Sequence, residues 1–192
     1  YKDLLAMNEI RRPILLEKLL IALALQVSSE VSYNEVAQTI GTDNKTVEKY
    51  IDLLEKCYVI FRLNAFNRNL RTELKKSKKI YFYDNGIRNA VIQNFAPLSL
   101  RQDTGALWEN FFISERIKAN HYNGNYAKSF FWRTTQQQEI DYIEEADGNF
   151  TAFEMKWNPN KRPITFPSPF LNNYPVKETV VITPENYLEW VM

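Results

Sequence analysis

The feature that most constrains this chain is a change in apolar period near residue 58. Before it, apolar residues recur at helical spacing. Pro13 opens the run Ile14-Leu15-Leu16-Glu17-Lys18-Leu19-Leu20, and proline suits a first helical turn. Ser32 and Glu35 have capping-box spacing ahead of Val36, Ala37 and Ile40, and Gly41 ends that short helix. Asp43 caps a third helix that turns Val47, Ile51, Leu53 and Leu54 inward. From Tyr58 the pattern becomes that of strands: 58–63 and 79–83 are dense in β-branched and aromatic residues and read as a pair. Three helices followed by a hairpin is the winged-helix order.

The segment joining those two strands carries Arg68, Arg71, Lys75, Lys76, Lys78 and Lys79 against a single acid, Glu73. It is expected to act as a wing gripping phosphates of double-stranded DNA. The alternative is a solvated loop that keeps the hairpin edge from pairing with other chains. The helix after Asp43 is the expected recognition element, presenting Asn44, Lys45, Glu48 and Lys49 outward. Net charge is only +1, so any basic surface is local rather than global.

Residues 84–103 read as a connector, with a turn at Asp84-Asn85-Gly86, a short helix to Phe95, and Pro97. A helix then runs from Thr104 to about 119, with Leu107, Trp108, Phe111, Phe112 and Ile117 on its apolar arc. Strands follow over 129–133, 139–144 and 150–157, the last two joined by a turn at Asp147-Gly148-Asn149. A proline-rich crossover from Pro163 to Pro175 leads to a strand over 178–183 and a closing helix over 186–191. The expected fold is therefore α/β, with a winged-helix module and connector in 1–95 and an α-β-β-β-α-β core with a mixed sheet in 96–192. Aromatics make up 14% of the chain, enough to fill two small cores.

Asp141, Glu154 and Lys156 carry the expected chemistry. Glu154 and Lys156 stand two apart on one strand and leave the same face, with small Ala152 beside them and Phe153, Met155 and Trp157 turned into packing. Asp141 lies on the preceding strand, across the hairpin. Two such carboxylates suit Mg²⁺ or Mn²⁺, and a lysine beside them orients water or offsets charge on a phosphate. This pattern resembles the PD-(D/E)XK nuclease superfamily, whose signature is an acid followed by Glu-x-Lys on the next strand. That superfamily often adds a Glu on the first core helix, a place that Glu109 occupies in Gly105-Ala106-Leu107-Trp108-Glu109-Asn110. The resemblance implies Asp141, Glu154, Lys156 and Glu109 as catalytic residues, with Asp141, Glu154 and Glu109 as metal ligands.

A more specific resemblance rests on an ordered set: Tyr50-Ile51-Asp52-Leu53-Leu54-Glu55, Lys79-Ile80-Tyr81-Phe82-Tyr83-Asp84, the Glu109 segment, Phe131-Trp132-Arg133, Glu139-Ile140-Asp141-Tyr142 and Glu154-Met155-Lys156. This series is similar to the domain-of-unknown-function family found C-terminal to AAA-type ATPase modules of bacteria and archaea, and covers the chain from about residue 33 onward. It implies an ATP-binding domain upstream of Tyr1 in the same polypeptide, and carries no settled activity. The start at Tyr1 also reads as the middle of a longer protein. One departure is the short proline-rich crossover after Lys156, where nuclease folds usually place a full helix.

Plainer readings compete. An acid–lysine pair on a strand is often a surface ion pair. Glu109 suits an early helical position by its charge alone. Glu115 falls nearer the centre of the apolar arc than Glu109, and would need a partner such as Arg133. His121 reads as solvated and Cys57 as packed. A lone cysteine excludes an internal disulfide and fits a reducing cytosol. The 14–27 apolar stretch, broken by Glu17 and Lys18, is too short for a bilayer. No GxxxxGK[ST] run is present to bind a nucleotide phosphate. Two functions follow: a metal-dependent DNA hydrolase appended to an ATPase, or a non-catalytic module that holds DNA or a protein.

Overall fold

A computed structural model describes residues 12–67, 77–158 and 164–192. Helix α1 (Pro13–Leu25) begins on its proline and buries Leu15, Leu16, Leu19, Leu20 and Leu23. The Ser32 hydroxyl accepts the Glu35 amide at the start of α2 (Tyr33–Ile40), which ends on Gly41 at φ 74°, a left-handed conformation that favours glycine. The Asp43 carboxylate accepts the Thr46 amide at 2.9 Å and opens α3 (Asn44–Lys56). These helices form one core with one face of the hairpin β1 (Ile60–Ala65) and β2 (Lys78–Phe82), through Ile60, Ile80 and Phe82.

Asp84 caps α4 (Asn85–Val91), and a 3₁₀ turn at Leu98–Leu100 precedes the long helix α5 (Thr104–Tyr122). Strands β3 (Lys128–Arg133), β4 (Glu139–Ala146) and β5 (Asn149–Met155) form an antiparallel meander. The β4–β5 turn uses positive φ at Asp147 and Gly148 (51° and 78°), the geometry of a tight hairpin. Helix α6 (Ser168–Asn173) crosses to β6 (Val176–Ile182), parallel to β5, and α7 (Leu188–Val191) closes the chain. The result is a mixed α/β protein.

One sheet runs through it, in the order β2-β1-β3-β4-β5-β6. The N-terminal hairpin is therefore its edge: β1 pairs in parallel with β3 at Asn64↔Phe130 and Ala65↔Phe131. Strand alternation gives the hairpin two faces with different duties. Ile60, Ile80 and Phe82 pack on α1–α3, while Phe61, Leu63 and Tyr81 join a second core under α5 with Trp108, Phe112, Phe131 and Phe153. A third layer, around Trp132, Phe150 and Phe170, covers the opposite face of the C-terminal strands.

The outer edge of β2 is occupied. Buried Asn110 of α5 accepts the Phe82 amide at 2.7 Å and donates to the Phe82 carbonyl at 2.9 Å, acting as a side-chain strand partner. Farther along, the Val31 amide donates to the Lys78 carbonyl at 2.8 Å. At the junction of the two halves, Asp103 takes the Arg88 guanidinium at 2.5 Å and Arg101 at 2.7 Å, and Arg88 also donates to the Ala24 carbonyl at 2.8 Å. Those hydrogen bonds hold the Asp103 carboxyl well below the usual carboxylate range, although partial burial opposes them.

Candidate functional site

Asp141 owes its position to a β-bulge. Phe130 pairs with Ile143 but Trp132 pairs with Ile140, so Asp141 and Tyr142 together oppose the single residue Phe131. The extra residue shifts the alternation of β4. Ile140 and Ile143 both enter the Trp132–Phe170 layer, whereas Tyr142 enters the core beneath α5. Glu139 and Asp141 are turned toward the end of the sheet overlain by the first turns of α5. The β4–β5 register runs to Tyr142↔Phe153, and beyond it the Asp141 carboxylate accepts the Met155 amide at 3.1 Å.

A cleft of about 990 Å³ opens there, and Glu109, Glu139, Asp141, Glu154 and Lys156 all line it. The structure thus brings the four residues expected from sequence, Glu109, Asp141, Glu154 and Lys156, to one cavity from α5, β4 and the end of β5. The Lys156 ammonium spans two of the acids, at 2.8 Å from Glu154 and 4.0 Å from Asp141. Burial, then the charge of Asp141, pushes the Glu154 carboxyl up to about 7 despite its bond with Lys156.

Besides Glu139 at the cleft wall, two residues buried behind the cleft acids were not expected from sequence. Lys79, assigned by its neighbours to a basic wing, points inward: its side chain is 3% exposed and pairs with Glu139 at 2.5 Å and Glu109 at 3.2 Å. Burial lowers its proton affinity, but the charges of Glu109, Glu139 and Asp141 outweigh that and hold the ammonium above its ordinary range. Tyr81, two residues on and on the same strand face, donates its hydroxyl to Glu109 at 2.6 Å. Burial, and then the charge of Glu109, raises the Tyr81 phenol well above its usual value, so it remains a donor. The Glu109 carboxyl itself is pushed up to about 7, by burial and then by Asp141, with Lys79 opposing. The signal that could have found Lys79 was the alternation Lys79-Ile80-Tyr81-Phe82, which places Lys79 on the face of Tyr81.

Other expectations need correction. Trp157 does not pack inward: β5 ends at Met155, and the indole is 41% exposed at the cleft, touching Trp108 edge to face. Ala152 leaves no space beside the acids, being buried in the layer of Phe150 and Phe170. Glu115 pairs with Lys118 on its own helix, and Arg133 instead binds Glu30 at 2.8 Å. The buried acid near α5 is Glu144, which receives Arg116 at 2.9 and 2.8 Å and Asn120 at 2.6 Å. Lys45 and Lys49 do face outward from α3, beside Glu48, Asp52 and Lys56. Arg68, Arg71, Lys75 and Lys76 lie outside the described residues.

The donor chemistry decides how a divalent ion fits. Among the described residues, no group of three or more His, Cys, Asp and Glu side chains is placed to hold a metal ion. Glu109 is engaged by Lys79 and Tyr81, so a cage of three carboxylates does not fit. Asp141 and Glu154, already sharing one ammonium, fit an ion of the Mg²⁺ kind, which is commonly held by one or two carboxylates and otherwise by water.

Comparison with known proteins places this architecture in a family. Residues 1–98, just over half of the chain, match the family described as Domain of unknown function (DUF8612). The chain belongs to that family. Residues 104–190 match a second description, Domain of unknown function (DUF4143). An uncharacterized protein of Mycobacterium tuberculosis is 28% identical over 124 residues, covering 64% of this chain and 27% of the relative, and one of Mycobacterium bovis gives the same figures. An uncharacterized Bro-N domain-containing protein of Acanthamoeba polyphaga mimivirus is 28% identical over 116 residues, covering 59% of this chain and 56% of that protein. The matched part of the chain spans about a quarter of the mycobacterial relatives. No solved structure matches. Among the described residues, no helix is long and apolar enough to cross a membrane.

Proposed function

We propose that this chain is the C-terminal arm of an AAA-type ATPase, a winged-helix module joined to a restriction-endonuclease-like domain whose cleft hydrolyses phosphodiester bonds in DNA. The observation that carries the reading is the convergence of Glu109, Asp141, Glu154 and Lys156 on one cleft, with Asp141 placed there by the bulge. Bulges of this kind re-aim side chains next to active sites. The greater length of the mycobacterial relatives supports a longer parent protein.

Asp141 and Glu154 would hold Mg²⁺ or Mn²⁺. Such an ion supplies Lewis acidity at a phosphoryl oxygen and lowers the proton affinity of a bound water. Lys156, oriented by Glu154, donates to a non-bridging phosphate oxygen and offsets the charge that develops there. Glu109 acts as a positioning residue fixed by Tyr81 and Lys79, rather than as a third ligand. Lys45 and Lys49 on the outward face of α3 would meet duplex phosphates.

A second reading, a non-catalytic module for DNA or a protein, is favoured by the way Lys79 and Lys156 already pair with the cleft acids. Assay of the full-length protein on linear DNA with Mg²⁺ or Mn²⁺, beside Asp141→Ala, separates the two. Cleavage by the wild type alone supports the hydrolase. Cleavage by both proteins, or by neither, sinks it.

A further inference from the structure

The two lysines paired with the cleft acids differ in a way that the hydrolase reading leaves unused. Lys156 sits at the mouth, with 37% of its side chain exposed, and can leave Asp141 and Glu154 for solvent. Lys79 cannot. Its side chain is 3% exposed, its ammonium lies 5.3 Å from the centre of the Phe131 ring, and its backbone is fixed opposite Leu63 in the hairpin. Hydrolases that use two ions hold them about 3.5–4 Å apart on shared or adjacent carboxylates. The carboxylates next to Asp141 that a second ion would need are Glu109 and Glu139, and both are bound to Lys79, at 3.2 and 2.5 Å.

We propose that the Lys79 ammonium stands where a second cation would sit, so that the cleft takes up a single divalent ion, at Asp141 and Glu154. The inference rests on the phosphodiesterase reading for the first ion, and on buried geometry alone for the second position. A fixed single charge between Glu109 and Glu139 neutralises part of the acid cluster and denies both carboxylates to a metal. The resident cation comes from β2, so the N-terminal half reaches, from behind, acids of the cleft that all belong to the C-terminal half.

The test counts ions. The whole chain is titrated with Mn²⁺ while free Mn²⁺ is followed by electron paramagnetic resonance, and circular dichroism checks that each variant is folded. One bound ion is expected for the wild type and for Lys79→Arg, two for Lys79→Met, and loss of the first ion in Asp141→Ala. Two ions in the wild type, or no gain in Lys79→Met over a wild type that binds one, overturn the proposal. Should Lys79→Met fail to fold, Mn²⁺-soaked wild-type crystals replace it. An anomalous peak at Asp141 and Glu154 with Lys79 still on Glu109 supports the proposal, and a peak on Glu109 or Glu139 overturns it. A wild type that binds no Mn²⁺ while Lys79→Met binds one sinks the hydrolase reading and keeps Lys79 as the resident cation. No ion in either protein overturns both.

Discussion

At the scale of single residues, the cleft couples proton uptake to folding. Burial and the charge of Asp141 push the Glu109 and Glu154 carboxyls up to about 7, from an ordinary glutamate value of 4.5. Both carboxyls are raised, so the folded chain binds more protons than the unfolded one between those two values. The stability they contribute is complete below the unfolded value and is lost as pH rises through about 7. Denaturant midpoints should therefore fall between about pH 5 and about pH 8, and Glu109→Gln should flatten that slope. Asp103 acts in the opposite sense, its depressed carboxyl adding stability that disappears in strong acid. Lys156→Met keeps the stem and removes the charge. It should leave stability within about 1 kcal/mol and, under the proposed hydrolase reading, lower any Mg²⁺-dependent cleavage by orders of magnitude, so that equal cleavage by the two proteins would assign the activity elsewhere.

At the scale of elements, local signals were readable and long-range ones were not. Ser32, Asp43 and Gly41 act within one turn of chain and fix the helix ends as their residue types suggest. Asp147-Gly148 sets the β4–β5 register through positive φ, and Glu154-Met155-Lys156 announces itself by spacing. The bulge at Asp141–Tyr142 depends on β3 and leaves no trace in a short window, while Lys79 shows its inward face by alternation but not its partner Glu109, 30 residues away. Asn110 is similar: within a helix it reads as a polar break in the apolar arc, yet it pairs with both polar groups of the Phe82 backbone. Asn110→Ala strands those groups in a dry site and should cost about 2–4 kcal/mol in a thermal or urea melt. A loss under about 0.5 kcal/mol would show that water replaces the side chain. On the outer face of α3, replacing Lys45 and Lys49 with alanine should weaken duplex binding and reduce its salt slope by about 0.9 for each phosphate no longer neutralised. Unchanged slopes would remove this helix from the interface.

At the scale of the whole molecule, the hairpin works for both halves. Its two faces complete different cores, and the Arg88–Asp103–Arg101 cluster ties the ends of α1 and α4 to the start of α5. Asp103→Ala leaves two nearly buried guanidinium groups without their shared carboxylate, and a loss of about 3–5 kcal/mol is expected by calorimetry, in a single transition. Two resolved transitions would show that the halves unfold separately.

The short parallel pairing of β1 with β3 also bears on inheritance. Cut between residues 98 and 104, where the two family matches part, the C-terminal piece would expose the free edge of β3 and the N-terminal piece would bare Phe61, Leu63 and Tyr81. Open edges and bared aromatic faces recruit other chains. Either piece made alone should therefore precipitate or associate during size-exclusion chromatography, while co-expressed pieces should elute together. A gene that carries one piece without the other would have to bring its own strand to lie where the missing neighbour was.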